Sequence, residues 1–376
     1  MNEHRYFQKL AHPTDVEAVW AAAERLTAET LPSWLTLEDI PDYRRCPCLR
    51  FDTLTITEQS TFLGELQSWE DRGFIVEEQG GQHVIYMNAP PREAVWSIAL
   101  YAGATLDTLT LTNSRLTCDE VTDVPATGVA DPFLIRRGNE WHLFFEVLNW
   151  AAYQGEIGHA VSDDGRNWQY DCIVLREPFH LSYPYVFDHD GDVWMIPETH
   201  HAGGVRLYRA APFPHQWELV ATLLEGPYFA DSSIVQWEDH WYLFADTSPG
   251  GSHDTLRLFY SEHLQGPWRE HPRSPVVQGD PVNAHPAGRV VQNGESLIRF
   301  AQNSVPEYGT DLRGFRIREL TPTTYREESL LAEPLLGPSG IGWNAHGMHH
   351  IDAHRLEDGT WLAAVDGWYL PAADAS

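Results

Sequence analysis

The stretch VADPFLIRRGNEWHLFFE, residues 129–146, holds two apolar runs separated by a short polar turn around Gly138. Two such runs joined by a glycine-containing turn predict a β-hairpin with buried strands. Asp131 precedes the first run, although an ionised carboxylate is costly to bury unless it is paired. A carboxylate at the start of a buried strand therefore requires an explanation, and the rest of the chain supplies one.

The turn and the strand after it recur four more times along the chain. The copies are GNEWHLFFE from Gly138, GDVWMIPET from Gly191, EDHWYLFAD from Glu238, GESLIRFAQ from Gly294 and DGTWLAAVD from Asp358. Each copy follows another strand-like run, so each predicts a hairpin, and the copies begin 47 to 64 residues apart. This spacing is typical of four-stranded propeller blades with variable loops. The sequence therefore predicts an all-β fold, a five-bladed β-propeller.

The fifth copy ends only ten residues before the end of the sequence, so its blade lacks outer strands. Residues 93–125 have strand character but contain no copy of the hairpin. We expect them to close the last blade, because closure removes the exposed sheet edges that an open ring would leave. The propeller is thus predicted to span residues 93–376.

Residues 1–92 do not join the repeat. PTDVEAVWAAAERLT and TEQSTFLGELQSWEDRGFI have the apolar spacing of helices, and IVEEQGGQHVIYM predicts two strands around a Gly-Gly turn. Helices followed by a hairpin predict a small winged-helix-like α+β domain. Because this segment is not basic, recognition of a peptide or protein partner, or packing on the propeller, is favoured over DNA binding.

Composition restricts the partners. The chain has 54 Asp and Glu against 25 Lys and Arg, a formal net charge of -29, which repels nucleic acid and anionic membrane surfaces. It has no apolar run near the length of a membrane span, and its first residues do not have the pattern of a signal peptide. The four cysteines include no CxxC pair that would indicate a zinc site. We expect a cytoplasmic protein that binds neither nucleic acid nor membrane.

Ionisable residues collect at one end of the predicted ring. In a blade, the start of the innermost strand and the end of the second strand lie at the same mouth of the ring, because the two strands are antiparallel. These positions are Asp131 with Glu146, Tyr183 with Glu198, Asp231 with Asp246, His285 with Gln302, and His349, His350 and Asp352 with Asp366. The pattern predicts a funnel with an acidic floor.

Paired carboxylates at a mouth are suited to glycosidic chemistry. One carboxylic acid protonates the leaving oxygen, while a carboxylate on the other face activates water or acts as the nucleophile. Crowding carboxylates pushes their pKa values apart, so that one stays protonated near neutral pH. The alternative for each residue is a structural carboxylate that accepts backbone N–H bonds at a turn.

Several motifs resemble a known family. WSIALYAG, SRLTCDEVTDVPATGVADPFLI, SYPYVF, MIPET, LQGPW, PAGR and GMHHID occur in order over residues 94–370. Together they resemble the N-terminal domain of plant glucosamine inositolphosphorylceramide transferases. That domain is similar in turn to the five-bladed glycoside hydrolases of the arabinanase and xylosidase type, and the resemblance implies the same propeller fold.

The resemblance to those hydrolases also implies roles for individual residues. It places the general base at Asp131, because ADPF matches the position of their first-blade Asp. Their second-blade Asp is replaced by Tyr183, and their third-blade Glu acid is replaced by Asp231. We therefore assign Asp131 as the base, Glu198 in IPETHH as the acid, and Asp231 as the residue that orients the acid or adjusts its pKa.

The other residues of the mouth are assigned to substrate binding. These are Glu146, Tyr183, Asp246, His285, Arg289, His349, His350 and Asp366. Arg289 is expected either to clamp an anionic group or to pair with one of the many acids. His350, Asp352 and His354 alternate on one strand face and could hold a divalent metal at the propeller axis, although substrate hydrogen bonding by His349 or His350 is favoured.

Three functions remain open from the sequence. The first is a carbohydrate-active, glycosidase-like enzyme that acts with inversion on a sugar or glycoconjugate. The second is a non-catalytic glycan- or ligand-binding propeller that assists a partner transferase. The third is a natural-product or peptide tailoring enzyme that reuses the funnel and recognises its substrate through the N-terminal module.

Overall fold

The computed structural model describes residues 94–371, apart from 150, 153, 249 and 250, and four short strands nearer the N-terminus. Those four strands are β1 (Leu35–Leu37), β2 (Leu49–Phe51), β3 (Phe74–Gln79) and β4 (Gln82–Met87). They form one antiparallel sheet in the order β1-β2-β4-β3. The hairpin predicted from IVEEQGGQHVIYM corresponds to β3 and β4, which pair from Phe74↔Met87 to Gln79↔Gln82. The two predicted helices lie outside the described residues, so the winged-helix-like domain remains a prediction.

Residues 94–370 form one compact unit, a five-bladed β-propeller. Each blade is an antiparallel sheet that begins with a predicted hairpin. Blade I contains β7 (Ala126–Arg137), β8 (Glu140–Asn149), β9 (Gln154–Ser162) and β10 (Gln169–Leu175). Blade II contains β11 (Ser182–His189), β12 (Asp192–Glu198), β13 (Gly204–Ala210) and β14 (Trp217–Glu225). Blade III contains β15 (Ala230–Trp237), β16 (His240–Asp246), β17 (Thr255–Ser261), β18 (Arg269–Glu270) and β19 (Val277–Gln278).

Blade IV contains β20 (Val291–Asn293), β21 (Ser296–Asn303), β22 (Asp311–Leu320) and β23 (Tyr325–Ser329). Blade V combines both ends of the propeller sequence: β24 (Ile351–Arg355), β25 (Trp361–Tyr369), β5 (Val95–Gly103) and β6 (Thr110–Leu116). The helices assigned in the described residues are short 3₁₀ turns at Leu106–Thr108, Cys118–Glu120, His200–Ala202 and Gly342–Asn344. No helix in the described part of the chain has the length and apolar character needed to cross a bilayer.

Blade V closes the ring as the sequence predicts. β5 pairs with β25 along its whole length, from Val95↔Tyr369 to Gly103↔Trp361, and β6 pairs with β5 on the outer side. The ring is therefore held by hydrogen bonds between segments that are more than 250 residues apart in sequence. Closure removes the unpaired inner edges that an open array of blades would expose.

The apolar core lies between neighbouring blades. Phe133 of β7, for example, packs edge-on against Tyr183 of β11, with ring centroids 4.9 Å apart. Separate clusters join blades III and IV around Phe244 and Leu297, and blades IV and V around Phe300 and Val365. Because each sheet buries both faces against its neighbours, the inner strands are continuous apolar runs rather than alternating ones.

Three innermost strands carry the same bulge at the mouth. Asp131, Tyr183 and Asp231 have positive φ angles of 52°, 46° and 48°, and each lies where the pairing with the second strand shifts register. Non-glycine residues rarely adopt this conformation, which costs on the order of 1–3 kcal/mol and is concentrated at functional sites. A bulge also re-aims the side chain of the bulged residue. Asp131 is therefore placed at the mouth by a backbone feature that three blades share.

The innermost segment of blade IV approaches blade V closely at Gly288. This residue has φ of 119°, and a Cβ atom there would lie 1.9 Å from the carbonyl oxygen of Ile351. Gly288 also forms a parallel bridge with Ile351. Only glycine fits this contact, because any side chain would push the two blades apart.

Arg289, beside Gly288, ties four blades together near the ring axis. Its guanidinium group donates to Asp352 of blade V at 2.7 Å, to the carbonyl of Val186 of blade II at 2.8 Å, and to that of Leu134 of blade I at 3.2 Å. Burial disfavours the charge of Asp352, but the Arg289 guanidinium outweighs this and holds the pKa of the carboxyl well below its usual range. Such a buried pair is stable only because its hydrogen bonds are satisfied on both sides.

Candidate active site

The strand pairing brings the predicted ionisable residues to one mouth of the ring. Each innermost strand meets the end of its partner strand there, through the pairs Ala130↔Glu146, Ser182↔Glu198, Ala230↔Asp246, His285 with Gln302, and His350 with Asp366. Asp131 lies at the bulge inside β7 rather than at the start of the strand, and Asp231 lies near the start of β15. Glu198 and Asp246 end β12 and β16, whereas Glu146 and Asp366 lie three residues before the ends of β8 and β25. Buried Asp131, Glu146, Asp231, Asp246 and Asp366 make the mouth acidic, as the sequence predicts.

Asp131 is buried but well provided with partners. One carboxyl oxygen accepts the backbone N–H of Tyr183 at 3.2 Å, and the other faces His350 Nδ1 at 3.4 Å and His349 Nε2 at 3.7 Å. Burial raises the pKa of this carboxyl, but the two imidazoles and the Tyr183 N–H outweigh burial, so the pKa lies below the usual value. Asp131 is therefore ionised at neutral pH, which is the state that a general base requires.

Asp366 holds the surroundings of Asp131 in place. Its Oδ2 accepts the backbone N–H of Asp131 at 2.8 Å, and its Oδ1 accepts His349 Nδ1 at 2.7 Å and the N–H of His350 at 2.9 Å. Burial opposes a charge on His349, but the Asp366 carboxylate outweighs it and raises the pKa of the imidazole. Asp366 is itself fully buried, so the sequence prediction that it binds substrate is replaced by a positioning role.

His285 bridges two carboxylates on the opposite side of the mouth. Its Nε2 lies 2.7 Å from Asp231 Oδ2, and its Nδ1 lies 2.5 Å from Asp246 Oδ2. Burial opposes the imidazolium, but the two carboxylates outweigh it and raise the pKa of His285 to about 10. Both ring nitrogens are thus committed to protein groups, so His285 sets the charge of the mouth rather than contacting a substrate through those nitrogens.

The pKa of Asp231 is shifted in the opposite direction from that of Asp131. Burial raises the pKa of its carboxyl to about 6, and the negative charges of Asp131 and Glu198 add to the increase, while His285 opposes it without cancelling it. The influence of Asp131 and Glu198 on Asp231 also indicates that the three predicted catalytic carboxyls share one electrostatic environment. One mouth therefore contains a carboxylate held ionised and a carboxyl held closer to its protonated form.

Glu198 and Glu146 each pair with a histidine outside the innermost strands. Glu198 Oε1 lies 2.7 Å from His200 Nδ1, and this bond raises the pKa of His200. Glu146 Oε1 lies 3.2 Å from His180 Nε2. His200 follows Glu198 by two residues in IPETHH, whereas His180 lies on the segment between blades I and II.

Two of the predicted substrate-binding residues have other roles. Tyr183 is fully buried, and its hydroxyl bonds Ser233 Oγ at 2.8 Å and the carbonyl of Gly288 at 3.1 Å. Its contribution to the mouth is the backbone N–H that binds Asp131. Arg289 is committed to Asp352, the second of the two possibilities that the sequence left open for it. In both residues the polar group forms hydrogen bonds with residues of other blades, in a buried position where an unpaired donor would be costly.

The predicted metal ligands do not come together. Asp352 Oδ2 accepts from His354 Nε2 at 2.9 Å, and the Asp352 carboxylate is neutralised by Arg289. The His350 ring lies instead between the rings of Phe133 and Tyr183, with its Nδ1 3.4 Å from Asp131 Oδ1. Among the described residues, three clusters bring metal-ligand atoms within 4.8 Å of one another, and the set of His350, Asp352 and His354 is not one of them.

Loops contribute residues that strand ends alone do not predict. Tyr308 lies in the loop after β21 and packs edge-on to His349 at 5.3 Å, while His253 lies in the loop after β16, with its Nδ1 3.3 Å from Asp246. Trp96, at the start of β5, packs against His349 at 4.2 Å. Tyr308 and His253 follow the second strands of their blades, as His200 does in blade II, and Trp96 belongs to the strand that follows β25 in blade V, so each reaches the same mouth. No repeating sequence pattern marks these positions.

Tyr308 completes the mouth on the side of blade IV. Burial of its hydroxyl raises the pKa of the phenol well above its usual value, and the negative charges of Asp231 and Asp131 raise it further. The residue as a whole is 40% exposed, so part of its ring remains accessible. Together with Trp96, it gives the acidic mouth an aromatic rim, an arrangement that suits a ligand with apolar faces and polar edges.

The fold is that of the glycoside hydrolase propellers. The structure aligns with an exo-β-1,3-galactanase from Clostridium thermocellum with a TM-score of 0.52 at 14% sequence identity, over 68% of this chain and 61% of that one. It aligns with the catalytic domain of a GH62 α-L-arabinofuranosidase from Coprinopsis cinerea with a TM-score of 0.50 at 10% identity, over 75% and 99% of the two chains. At these identities the likeness shows the fold alone.

Sequence similarity identifies the family to which the chain belongs. It belongs to the family described as glucosamine inositolphosphorylceramide transferase 1, N-terminal, which matches residues 93–368. Glucosamine inositolphosphorylceramide transferase 1 of Oryza sativa subsp. japonica is 35% identical over 313 residues, covering 76% of this chain and 42% of the relative. The protein of the same name from Arabidopsis thaliana is 34% identical over 272 residues, covering 70% and 35%. The chain thus spans less than half the length of these relatives.

Proposed function

We propose that the protein is a carbohydrate-active, glycosidase-like enzyme whose mouth carries an acid and a base of opposite pKa shift. The observation that supports this proposal is the contrast between Asp131, whose pKa is lowered, and Asp231, whose pKa is raised to about 6. Two carboxyls whose surroundings push their pKa values apart are the usual arrangement of a base and an acid in one site.

In this proposal Asp231, rather than Glu198, is the general acid. The sequence alone assigns the acid to Glu198, but Asp231 occupies the same bulge in blade III that Asp131 occupies in blade I, and it has the raised pKa. Glu198 then adjusts the pKa of the acid, which is the role that the sequence alone gives to Asp231. Its negative charge is one of the causes that raise the pKa of Asp231. His200 holds the Glu198 carboxylate at 2.7 Å.

The proposed reaction is hydrolysis with inversion. Asp231 transfers its proton to the glycosidic oxygen as the bond from the anomeric carbon to that oxygen breaks. Asp131 removes a proton from a water molecule as the water oxygen bonds to the anomeric carbon on the opposite face. The products are a hemiacetal sugar and an alcohol, with Asp131 protonated and Asp231 ionised until solvent exchange restores both. Asp366 and His349 keep Asp131 oriented for this step.

The substrate we propose is a glycoconjugate that carries an amino sugar. The relatives are named glucosamine inositolphosphorylceramide transferase 1, a name that contains an amino sugar and a phosphorylated lipid. Five acidic side chains at the mouth are buried, and a field of this sign attracts an ammonium group and repels a phosphate. The amino-sugar end of such a conjugate therefore suits the mouth better than the anionic end.

Turnover of chromogenic glycosides tests this proposal. We expect the protein to release p-nitrophenol from the glucosaminide faster than from the arabinofuranoside or galactoside, because only the glucosaminide carries an ammonium group. Asp131→Asn should lower kcat at least about 100-fold, in line with the contribution of a general base. Asp239→Asn, in the exposed β15–β16 turn at the far end of the hairpin, is the matched control and should leave kcat unchanged. Equal rates for Asp131→Asn and the wild-type protein would contradict the proposal.

A second candidate is a non-catalytic propeller that binds a glycan for a partner transferase. Two points favour it: the resemblance to the five-bladed hydrolases implies a carboxylate at the position of Tyr183, and the chain spans 42% of a relative that is named as a transferase. Binding measured by calorimetry separates the two candidates. Micromolar binding of a glucosaminide without release of p-nitrophenol would favour the binding propeller, whereas binding with release favours the enzyme.

A further inference from the structure

A cluster of histidine and aspartate side chains lies away from the mouth, on the outer strands of blade I. His159 belongs to β9, Asp171 to β10, and His215 to the turn between β13 and β14 of blade II. Asp171 Oδ2 lies 3.0 Å from His159 Nδ1 and 2.7 Å from His215 Nε2. The ligand atoms of the three side chains all lie within 4.8 Å of one another. The cluster is built by two neighbouring blades and is not used by the proposed function.

A fourth side chain orients the cluster. His142 of β8 is buried, and its Nδ1 lies 3.0 Å from His159 Nε2, on the side of the imidazole that faces away from Asp171. The two imidazoles are stacked with centroids 5.2 Å apart, and Phe144 packs on His159 at 4.9 Å. The direction of His159 Nδ1 is therefore fixed by packing and by a hydrogen bond to its other nitrogen. Histidines that bind metals are commonly held in this way.

We propose that His159, Asp171 and His215 bind one divalent transition-metal ion of the zinc class. Two imidazoles and one carboxylate are a ligand set that suits zinc, copper or nickel, whereas magnesium and calcium prefer oxygen ligands. Three protein ligands leave room for water as the fourth ligand.

Two of the three ligand-atom separations are close to what zinc requires, and the third, between the two imidazole nitrogens, is at most 4.8 Å. Zinc–nitrogen and zinc–oxygen bonds near 2.0–2.1 Å put tetrahedral ligand atoms about 3.3 Å apart. The observed separations of 3.0 and 2.7 Å therefore need to open by only a few tenths of an ångström. The His215 side chain, which is 53% exposed on a turn, can make this adjustment. Because its ligands come from two blades, the ion would link blade I to blade II and stabilise their interface.

Without a metal, the same atoms form a hydrogen-bonded chain. His142 can donate to His159, and His159 and His215 can both donate to Asp171, so that every close pair shares one proton. This chain is the alternative that an experiment has to exclude.

Calorimetric titration of the full chain with zinc chloride after treatment with a chelator tests the proposal. We expect a site that binds one zinc ion, does not bind magnesium, and loses at least 10-fold in zinc affinity in His215→Ala and Asp171→Asn. His215 is exposed, so its removal leaves the core intact. His263→Ala, at an exposed position between β17 and β18, is the matched control and should bind zinc as the wild-type protein does.

A second control variant and a second readout make the test specific. His253→Ala removes a ligand of a different cluster, formed with Asp246 and His285 at the mouth, and should retain the site. Saturating zinc should raise the melting temperature of the wild-type protein but not that of His215→Ala, because only a folded-state ligand stabilises by mass action. No zinc binding by the wild-type protein, undiminished binding by His215→Ala, or loss of binding in His253→Ala would each overturn the proposal.

Discussion

His285 lies between two carboxylates, and this arrangement sets the charge of the mouth. Burial alone would favour a neutral imidazole, yet Asp231 and Asp246 on either side keep it protonated, and its pKa is raised to about 10. Asp246 is stabilised in turn, because burial is outweighed by His253 and His285 and its pKa is lowered. The pKa of Asp231 is raised to about 6 by burial and by the charges of Asp131 and Glu198, so Asp231 takes up a proton more readily than Asp131 or Asp246, whose pKa values are lowered.

The charge on His285 predicts how stability depends on pH. The pKa of this histidine is raised from 6.5 in the unfolded chain to about 10 in the folded protein, so its stabilising contribution is complete below pH 6.5 and is lost as pH rises toward 10. The free energy of unfolding should therefore fall by up to about 1.4 kcal/mol per pH unit from this proton across that window. Urea unfolding at several pH values between 7 and 9.5 measures it.

His285→Gln supplies the comparison for this prediction. The variant should be less stable at pH 7, because Asp231 and Asp246 then face each other without a cation, and its slope between pH 7 and 9.5 should be shallower by about one proton. A wild-type protein whose stability rises over this window, or a variant with the wild-type slope, would show that His285 is not the titrating cation.

At this scale the sequence predicts which residues meet, but not all of what they do. Asp131 and Asp231 could be placed at the mouth because their positions follow from strand direction alone. The inward turn of Tyr183 could not, because it depends on a bulge and on the position of Gly288 in another blade. The possible metal site of His350, Asp352 and His354, suggested by strand alternation, does not form as one cluster, because Arg289 from blade IV neutralises Asp352.

At the scale of strands and loops, local sequence patterns predict the strands and hairpins reliably. They do not predict which loops come together. The five hairpins follow from apolar runs and short turns, which act over a few residues. The loops that carry Tyr308 and His253 have no comparable pattern, and their place at the mouth follows only from the strands that they connect. The outer-strand position of β5 in blade V was predictable because an unfilled blade and an unassigned strand occur in one chain.

The pair formed by Arg289 and Asp352 predicts a large, non-additive effect on stability. Arg289→Met should lower the free energy of unfolding by about 3–5 kcal/mol, because it leaves a buried Asp352 carboxylate without its partner. The double variant Arg289→Met/Asp352→Asn should recover part of this loss, since no unpaired charge remains. Denaturant unfolding of Arg289→Met, Asp352→Asn and the double variant measures the coupling.

An exposed ion pair provides the control for this prediction. Arg257 pairs with Glu270 on the outside of blade III, and Arg257→Met should change the free energy of unfolding by less than about 1 kcal/mol. A loss in Arg289→Met as small as that in Arg257→Met, or a double variant whose loss equals the sum of the single losses, would contradict the role of Arg289 as the hub of four blades.

At the scale of the whole molecule, closure and charge act together. The ring brings the first and last segments of the propeller into one blade, and the same closure places Asp366 beside Asp131 and Trp96 against His349. A formal net charge of -29 adds a long-range field that favours cationic ligands over anionic ones. An ammonium-bearing sugar fits both the local and the long-range charge, which is why the amino sugar is the substrate that we propose.

The dependence of turnover on pH tests the central claim, that Asp131 and Asp231 act as base and acid in one mouth. The rate should be highest between the lowered pKa of Asp131 and the pKa of about 6 of Asp231, and should fall as pH rises above 6, because the acid must be protonated and the base ionised. With the p-nitrophenyl glucosaminide, whose leaving group needs little protonation, Asp231→Asn should keep part of its activity and lose the decline above pH 6. A decline above pH 6 that persists in Asp231→Asn, or a wild-type rate that rises through pH 8, would contradict the assignment.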